Sequence, residues 1–233
     1  VIKLVPIILE LKQRKIPFTI INTGQHKELV DDVLSLFSIS VNFDLKLMKE
    51  TSDLSELTAS LSSKLPPLLK RIDPNMLIVQ GDTTTAYISA LSAFYEKIPV
   101  VHIEAGLRTG DFYSPFPEEM NRRLISQIAT FHFAPTDVAI NNLFEEGIKD
   151  NVYKVGNTVI DALVSISNFQ NNKIILEKSG IPIRDQSKKL ILLTCHRREN
   201  FGEPFLSVCN AVNQLLSERN DLQFVFPVHP NPS

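Results

Sequence analysis

Asp82 and Glu104 each stand just past a short apolar run, at 76–80 and 100–103, and an acidic pair, Glu118-Glu119, follows Pro117 where the next helical pattern begins. A short apolar run broken by a polar turn is how a parallel strand buried on both faces reads. In an open α/β sheet, ligands bind beyond the carboxyl ends of the strands. The carboxylates of Asp82, Glu104 and Glu118 are therefore expected along one edge of one sheet. Carboxylates crowded into a partly dry cleft disfavour one another's charge, and a group tuned that way can give or take a proton near neutrality.

The stretch Thr194-Cys-His-Arg-Arg-Glu-Asn200 supplies the opposite chemistry. His196, Arg197 and Arg198 lie between a strand pattern and a helix pattern, so cations and backbone N–H groups can face an anion together. Arg108, Arg122 and Arg123 add positive charge near the acids. Acids and cations in one site suit a substrate with a diphosphate and a group needing proton transfer.

Plainer readings compete. Asp82 could cap the helix that opens at Thr83. Glu118 could be a first-turn acid paired with Arg122 one turn on. The 194–200 turn could be solvated, as could His26. His102 and His132 lie inside apolar runs, where a satisfied core histidine is expected. Cys195 and His196 are sequence neighbours, so on a strand they point to opposite faces. No metal-ligand spacing, G-x-G-x-x-G, Walker loop or G-x-S-x-G occurs, so neither a metal nor a cofactor is expected.

The elements that must position these groups alternate. Helical spacing covers 1–15, with Pro6 in the first turn or at a kink. A chain entering in a helix, with strands to follow, suggests a missing first strand. A strand at 18–22 leads through Thr23-Gly-Gln-His26 to a helix at 27–37, then a strand at 43–47. A long helix at 51–72 has Asp53 and Glu56 as a capping pair and Pro66-Pro67 as a break. Strands at 131–135 and 152–155 alternate with helices at 136–146, capped by Thr136, and 159–169. A further βαβ unit fills 189–227. Such alternation means an α/β fold with a parallel sheet. We expect a Rossmann-like domain at 1–169, a linker at 170–187, and the incomplete start of a second Rossmann-like domain at 188–233. One βαβ unit is too little for an independent core.

Composition narrows the partners. The chain has 233 residues, 43% hydrophobic and 21% charged, with a formal charge of -2. That balance offers no basic field for nucleic acid or anionic lipid. No apolar run reaches the ~20 residues of a spanning helix, and no signal peptide is evident. With Cys195 and Cys209 the only cysteines, the expected compartment is the cytoplasm.

Taken together and in order, Thr23-Gly-Gln-His, Gly81-Asp-Thr-Thr-Thr, His102-Ile-Glu-Ala-Gly-Leu-Arg-Thr-Gly-Asp, Ser114-Pro-Phe-Pro-Glu-Glu-Met-Asn-Arg, Gly156-Asn-Thr-Val-Ile-Asp and Thr194-Cys-His-Arg-Arg-Glu-Asn resemble the bacterial non-hydrolysing UDP-N-acetylglucosamine 2-epimerases. The resemblance covers essentially the whole chain. It implies a GT-B-like architecture, two Rossmann-like domains with a nucleotide sugar between them, and a homodimer. It implies interconversion of UDP-GlcNAc and UDP-ManNAc for cell-surface polysaccharide synthesis, by loss of UDP to give 2-acetamidoglucal and its return. By motif, Asp82, Glu104 and Glu118 would be the catalytic acids and bases, and His196 would contact the diphosphate and assist its departure. Lys3 matches a ligand-contacting lysine. No cofactor is implied.

The family's first strand and a Gly-Thr-Arg-Pro-Glu loop would precede Val1, and most of the second domain would follow Ser233. The chain by itself is therefore expected to bind UDP-sugar weakly and to be inactive. Three rivals remain: a GT-B glycosyltransferase, since fold does not fix function; a hydrolysing epimerase that releases free ManNAc; and a non-catalytic fragment that associates through a sheet edge.

Overall fold

Val100–Ile103 is buried at every position, as a strand covered by helices on both faces must be. It lies second in a four-stranded parallel sheet. In the computed structural model, which describes residues 1–24, 27–47, 53–167, 185, 187–195 and 202–227 (27–29 as backbone only), the chain forms two compact units, 1–166 and 167–233.

In the first unit, the strands are β1 (Ile21–Asn22), β2 (Phe43–Asp44), β3 (Leu77–Gln80), β4 (Val100–Ile103), β5 (Phe131–Ala134) and β6 (Val152–Lys154). β3, β4, β5 and β6 lie side by side in that order, all parallel, and β1 pairs with β2 in a separate parallel ladder. In-register pairing puts Val79, His102, His132 and Val152 in one row across the sheet. The helices are α1 (Val5–Gln13), entered through a 3-10 turn at Ile2–Leu4, α2 (Lys27–Leu36), α3 (Leu54–Ile72), α4 (Thr84–Tyr95), α5 (Glu118–Ile128), α6 (Asp137–Glu145) and α7 (Thr158–Ser167). The second unit has β7 (Lys189–Leu192), α8 (Glu203–Glu218) and β8 (Leu222–Val225), with β7 and β8 parallel. The alternation read from sequence is thus the observed α/β order, with strands trimmed at their ends. Most of 170–187, read as a linker, lies outside the described residues.

Pro6 falls in the first turn of α1. Pro66 and Pro67 do not break α3, which runs unbroken past them. A proline frees the carbonyl four residues back. Here those belong to Ser62 and Ser63, both on the exposed side where water can serve them, while Leu57, Leu61, Leu65, Leu68 and Leu69 are buried. Asp53 caps α3 through the Glu56 amide at 2.8 Å, and Thr136 caps α6 through Ala139 at 3.2 Å.

Ala86, Ala90 and Ala93 form one small-residue face on α4 and pack with Leu69, Val79, Val100 and Ile125. Small side chains bring this helix close to the sheet, fixing the turn between β3 and α4. Beyond β4 the chain passes tightly over α6. At Gly106 (φ +85°), a Cβ would lie 2.1 Å from the Ala139 carbonyl oxygen, so only glycine fits.

Candidate active site

The Gly81 amide donates to the Ile103 carbonyl at 3.1 Å, extending the ladder one step past β3. Asp82 and Glu104 therefore leave adjacent strand ends locked side by side. Each then has its own supports.

Glu104 has a left-handed backbone, φ 67°, rare for a side chain of its size. Strain of this kind persists where surrounding contacts over-determine it, commonly at functional positions. Its side chain is 10% exposed. Oε1 accepts from Lys3 Nζ at 2.5 Å and from Asn157 Nδ2 at 2.9 Å, and Oε2 accepts from Gln80 Nε2 at 2.7 Å. These donors come from the turn before α1, the loop before α7 and the end of β3. The structure thus gives Glu104 three protein partners and leaves the carboxylate at the wall of a cleft.

Asp82 does not cap α4. Thr83 is the N-cap, its hydroxyl accepting from the Ala86 amide at 3.1 Å. Asp82 is released for another role, and its Oδ2 pairs with Arg122. Asn121 Nδ2 holds the Asp82 carbonyl at 2.9 Å. Lys3, Gln80, Asp82, Thr83, Glu104 and Leu107 help line one cleft of about 290 Å³. It brings two carboxylates and the Lys3 ammonium together beside a strand-to-helix turn.

Glu118 opens α5, half-buried, and its side chain makes no hydrogen bond or ion pair to the described residues. It does not pair with Arg122, and it is not among the residues lining that cleft. Arg122 is taken by Asp82 and Glu119 instead. Glu119 is fully buried. Burial works against its charge, yet the Thr109 amide, Arg123 and Arg122 more than offset this and hold the carboxyl below its ordinary value. The Arg108 guanidinium does the same for Glu146 against the cost of burial. His196, Arg197, Arg198 and His26 lie outside the described residues.

His102 is buried, and its Nε2–H donates to the Gly81 carbonyl at 2.9 Å. Burial pushes its pKa down to about 4, against the lesser upward pull of that hydrogen bond. His132, its neighbour across the ladder, is pushed down by burial too. Neither is the fully satisfied core histidine expected, because each Nδ1 lacks a partner among the described residues. His102 instead buttresses the turn that presents Asp82. Among the described residues no cluster of three or more His, Cys, Asp or Glu side chains is placed to hold a metal. No helix among them is long and apolar enough to cross a membrane.

Sequence reading missed Gln80, Asn121 and Asn157. Gln80 closes an apolar run with an amide, and Asn157 follows a glycine at a strand end. Both were visible as polar residues at the ligand edge of the sheet.

A parallel α/β sheet with paired acids beyond two adjacent strand ends, one of them held by a lysine, puts this cleft at the edge where open α/β sheets bind their ligands. The chain belongs to the UDP-N-acetylglucosamine 2-epimerase family, whose profile matches residues 9–233. The UDP-N-acetylglucosamine 2-epimerase of Bacillus subtilis (strain 168) is 45% identical over 235 residues, covering 99% of this chain and 60% of that protein. The crystal structure of UDP-GlcNAc 2-epimerase from Neisseria meningitidis bound to UDP-GlcNAc matches with a TM-score of 0.88 at 44% identity, covering 99% of this chain and 63% of that one. The crystal structure of the Methanocaldococcus jannaschii UDP-GlcNAc 2-epimerase in complex with UDP-GlcNAc and UDP matches with a TM-score of 0.80 at 31% identity, covering 98% and 63%. The chain thus spans less than two thirds of these relatives' length. Their GT-B-like fold is the fold class expected from the sequence motifs.

Proposed function

We propose that the protein interconverts UDP-GlcNAc and UDP-ManNAc by eliminating UDP across C1 and C2 and adding it back. The observation that carries this is Glu104: a carboxylate on a left-handed backbone, fixed by Lys3, Gln80 and Asn157 in the same cleft as Asp82. The Neisseria relative crystallised with UDP-GlcNAc supports the choice of ligand.

The C2 hydrogen of the sugar has no adjacent carbonyl to acidify it, so removing it as a proton alone is unfavourable. Coupling its removal to departure of UDP solves this. A carboxylate takes the C2 proton, the C2–H pair becomes the C1=C2 double bond, and the C1–O bond breaks with its electrons leaving on the diphosphate. The products are 2-acetamidoglucal and UDP. In the reverse step a diphosphate oxygen attacks C1 and a proton is delivered to the opposite face of C2. Overall the route isomerises the sugar without changing its oxidation level.

Inversion at C2 calls for proton-transfer groups on two faces of the ring. Asp82, Glu104 and Glu118 are the candidates. Lys3, already against Glu104, offers an ammonium to an anionic ligand. His196 is assigned to the diphosphate by its motif. We further infer that the whole protein is cytoplasmic and forms a homodimer, the latter checked by its molar mass from light scattering.

The reading is tested by following UDP-GlcNAc by NMR in a polypeptide built to the relatives' full length around this chain. Appearance of UDP-ManNAc without free sugar is the expected result. Free ManNAc would indicate a hydrolysing enzyme. Consumption that needs an added acceptor would indicate a transferase, and no turnover would defeat the proposal.

A further inference from the structure

Glu119 carries a charge with no solvent exposure, and a buried charge left unanswered is strongly destabilising. Its answers lead in two directions. Oε2 accepts from the Thr109 amide at 3.0 Å and lies 3.4 Å from a terminal nitrogen of Arg122. Oε1 accepts from Arg123 Nε at 3.0 Å. The other terminal nitrogen of Arg122 holds Asp82. Arg123 reaches Glu146 at 3.0 Å, and Glu146 receives Arg108 through both oxygens, at 2.8 and 2.6 Å.

The side chains thus alternate in sign from Asp82 through Arg122, Glu119, Arg123 and Glu146 to Arg108. One end of this chain of charges is a carboxylate of the cleft. The other end, with Thr109, belongs to the loop that begins at Glu104. Arg108 is itself fastened, donating to the Leu107 carbonyl at 2.7 Å and to Ser126 Oγ at 3.1 Å. Apolar side chains of similar volume would stabilise the same space as well or better. What they could not do is fix two acids on different strands in one relative placement.

We propose that Glu119 is a positioning residue. Through Arg122 it sets where the Asp82 carboxylate stands, and through the Thr109 amide it sets the loop that leaves Glu104. The inference rests on the reading of Asp82 and Glu104 as reacting groups. It also gives the adjacent acids separate parts: Glu118 has no partner among the described residues, whereas Glu119 is fully engaged.

Glu119→Gln keeps the size and an acceptor for the Thr109 amide but removes the charge facing both arginines. In the relative-length polypeptide, kcat should fall roughly 100-fold, since a small misplacement of a reacting group costs about that much. KM for UDP-GlcNAc should stay within about twofold, because binding is not what is lost. On an Asp82→Asn background, the same change should add little further loss. Lys154→Ala, which removes only an exposed pair with Asp137, should leave kcat unaltered. Unaltered kcat in folded Glu119→Gln, or an undiminished loss on the Asp82→Asn background, overturns the proposal. Should Glu119→Gln fail to fold, Glu146→Gln, one step further along the same charges, must still lower kcat with KM held, and no effect overturns it. A second readout does not depend on turnover. Rotation of the Arg122 guanidinium, measured by nitrogen exchange NMR, should be slow in the parent and Lys154→Ala but at least ~10-fold faster in Glu119→Gln, as expected when a charge-assisted bond is lost. Equal rates there refute the positioning role, whereas a parent with slow rotation and no turnover refutes only the reaction.

Discussion

Replacing His102 with Gln should flatten the acid side of the stability profile. Burial pushes the His102 pKa from 6.5 down to about 4. Between those values the unfolded imidazole binds a proton that the folded one refuses. Stability therefore falls as pH drops from about 6.5 toward 4, and is regained as pH rises. The interval corresponds to roughly 3 kcal/mol lost across the window. His132 contributes with the same sign and remains in the variant. Glu119 and Glu146, held below their ordinary values, lose their contribution as pH falls below about 4.5, and this too is common to both proteins. The difference between parent and His102→Gln then isolates His102. Gln also retains an N–H donor for the Gly81 carbonyl. The chain has no tryptophan, so guanidinium unfolding is followed by circular dichroism in steps from pH 7 to pH 4. The parent should lose about 3 kcal/mol more than the variant over that range. Parallel profiles, or an NMR titration of the His102 ring near its ordinary value, would refute the reasoning.

Glu104→Gln should reduce kcat by roughly 10²–10⁴, the range for loss of a general acid or base, while UDP binding measured by calorimetry survives. Gly106→Ala combines a positive φ with a Cβ 2.1 Å from the Ala139 oxygen; denaturant unfolding should show a loss of about 3 kcal/mol or more. Thr83→Ala removes the cap of α4 and should cost about 1 kcal/mol by the same assay. An unchanged midpoint for Thr83→Ala would return the capping role to Asp82.

The strand ends that carry Asp82 and Glu104 were legible because period and polarity agree there: apolar runs stop abruptly at polar turns. Parallel alternation then placed both residues on one edge of the sheet. The partners of Glu104 were not legible, because Lys3 and Asn157 are 101 and 53 residues distant in sequence and meet it only in three dimensions. The choice between Glu118 and Glu119 as partner of Arg122 turned on which face of α5 is buried, and i,i+4 spacing suggested the wrong one. Pro66-Pro67 misled for a related reason. Local rules mark a break, whereas a leucine stripe on the opposite side of α3 holds the helix together. The diphosphate role given to His196 still rests on its motif.

The most direct measurement is solvent labelling at C2. UDP-GlcNAc is incubated in D₂O with the relative-length polypeptide and with its Asp82→Asn and Glu104→Gln variants. Deuterium should enter at C2 of both UDP-GlcNAc and UDP-ManNAc with the parent, and each variant should lose label and product together. UDP-ManNAc formed without deuterium at C2, or label that enters as fast in the variants as in the parent, would contradict proton transfer at the ends of β3 and β4.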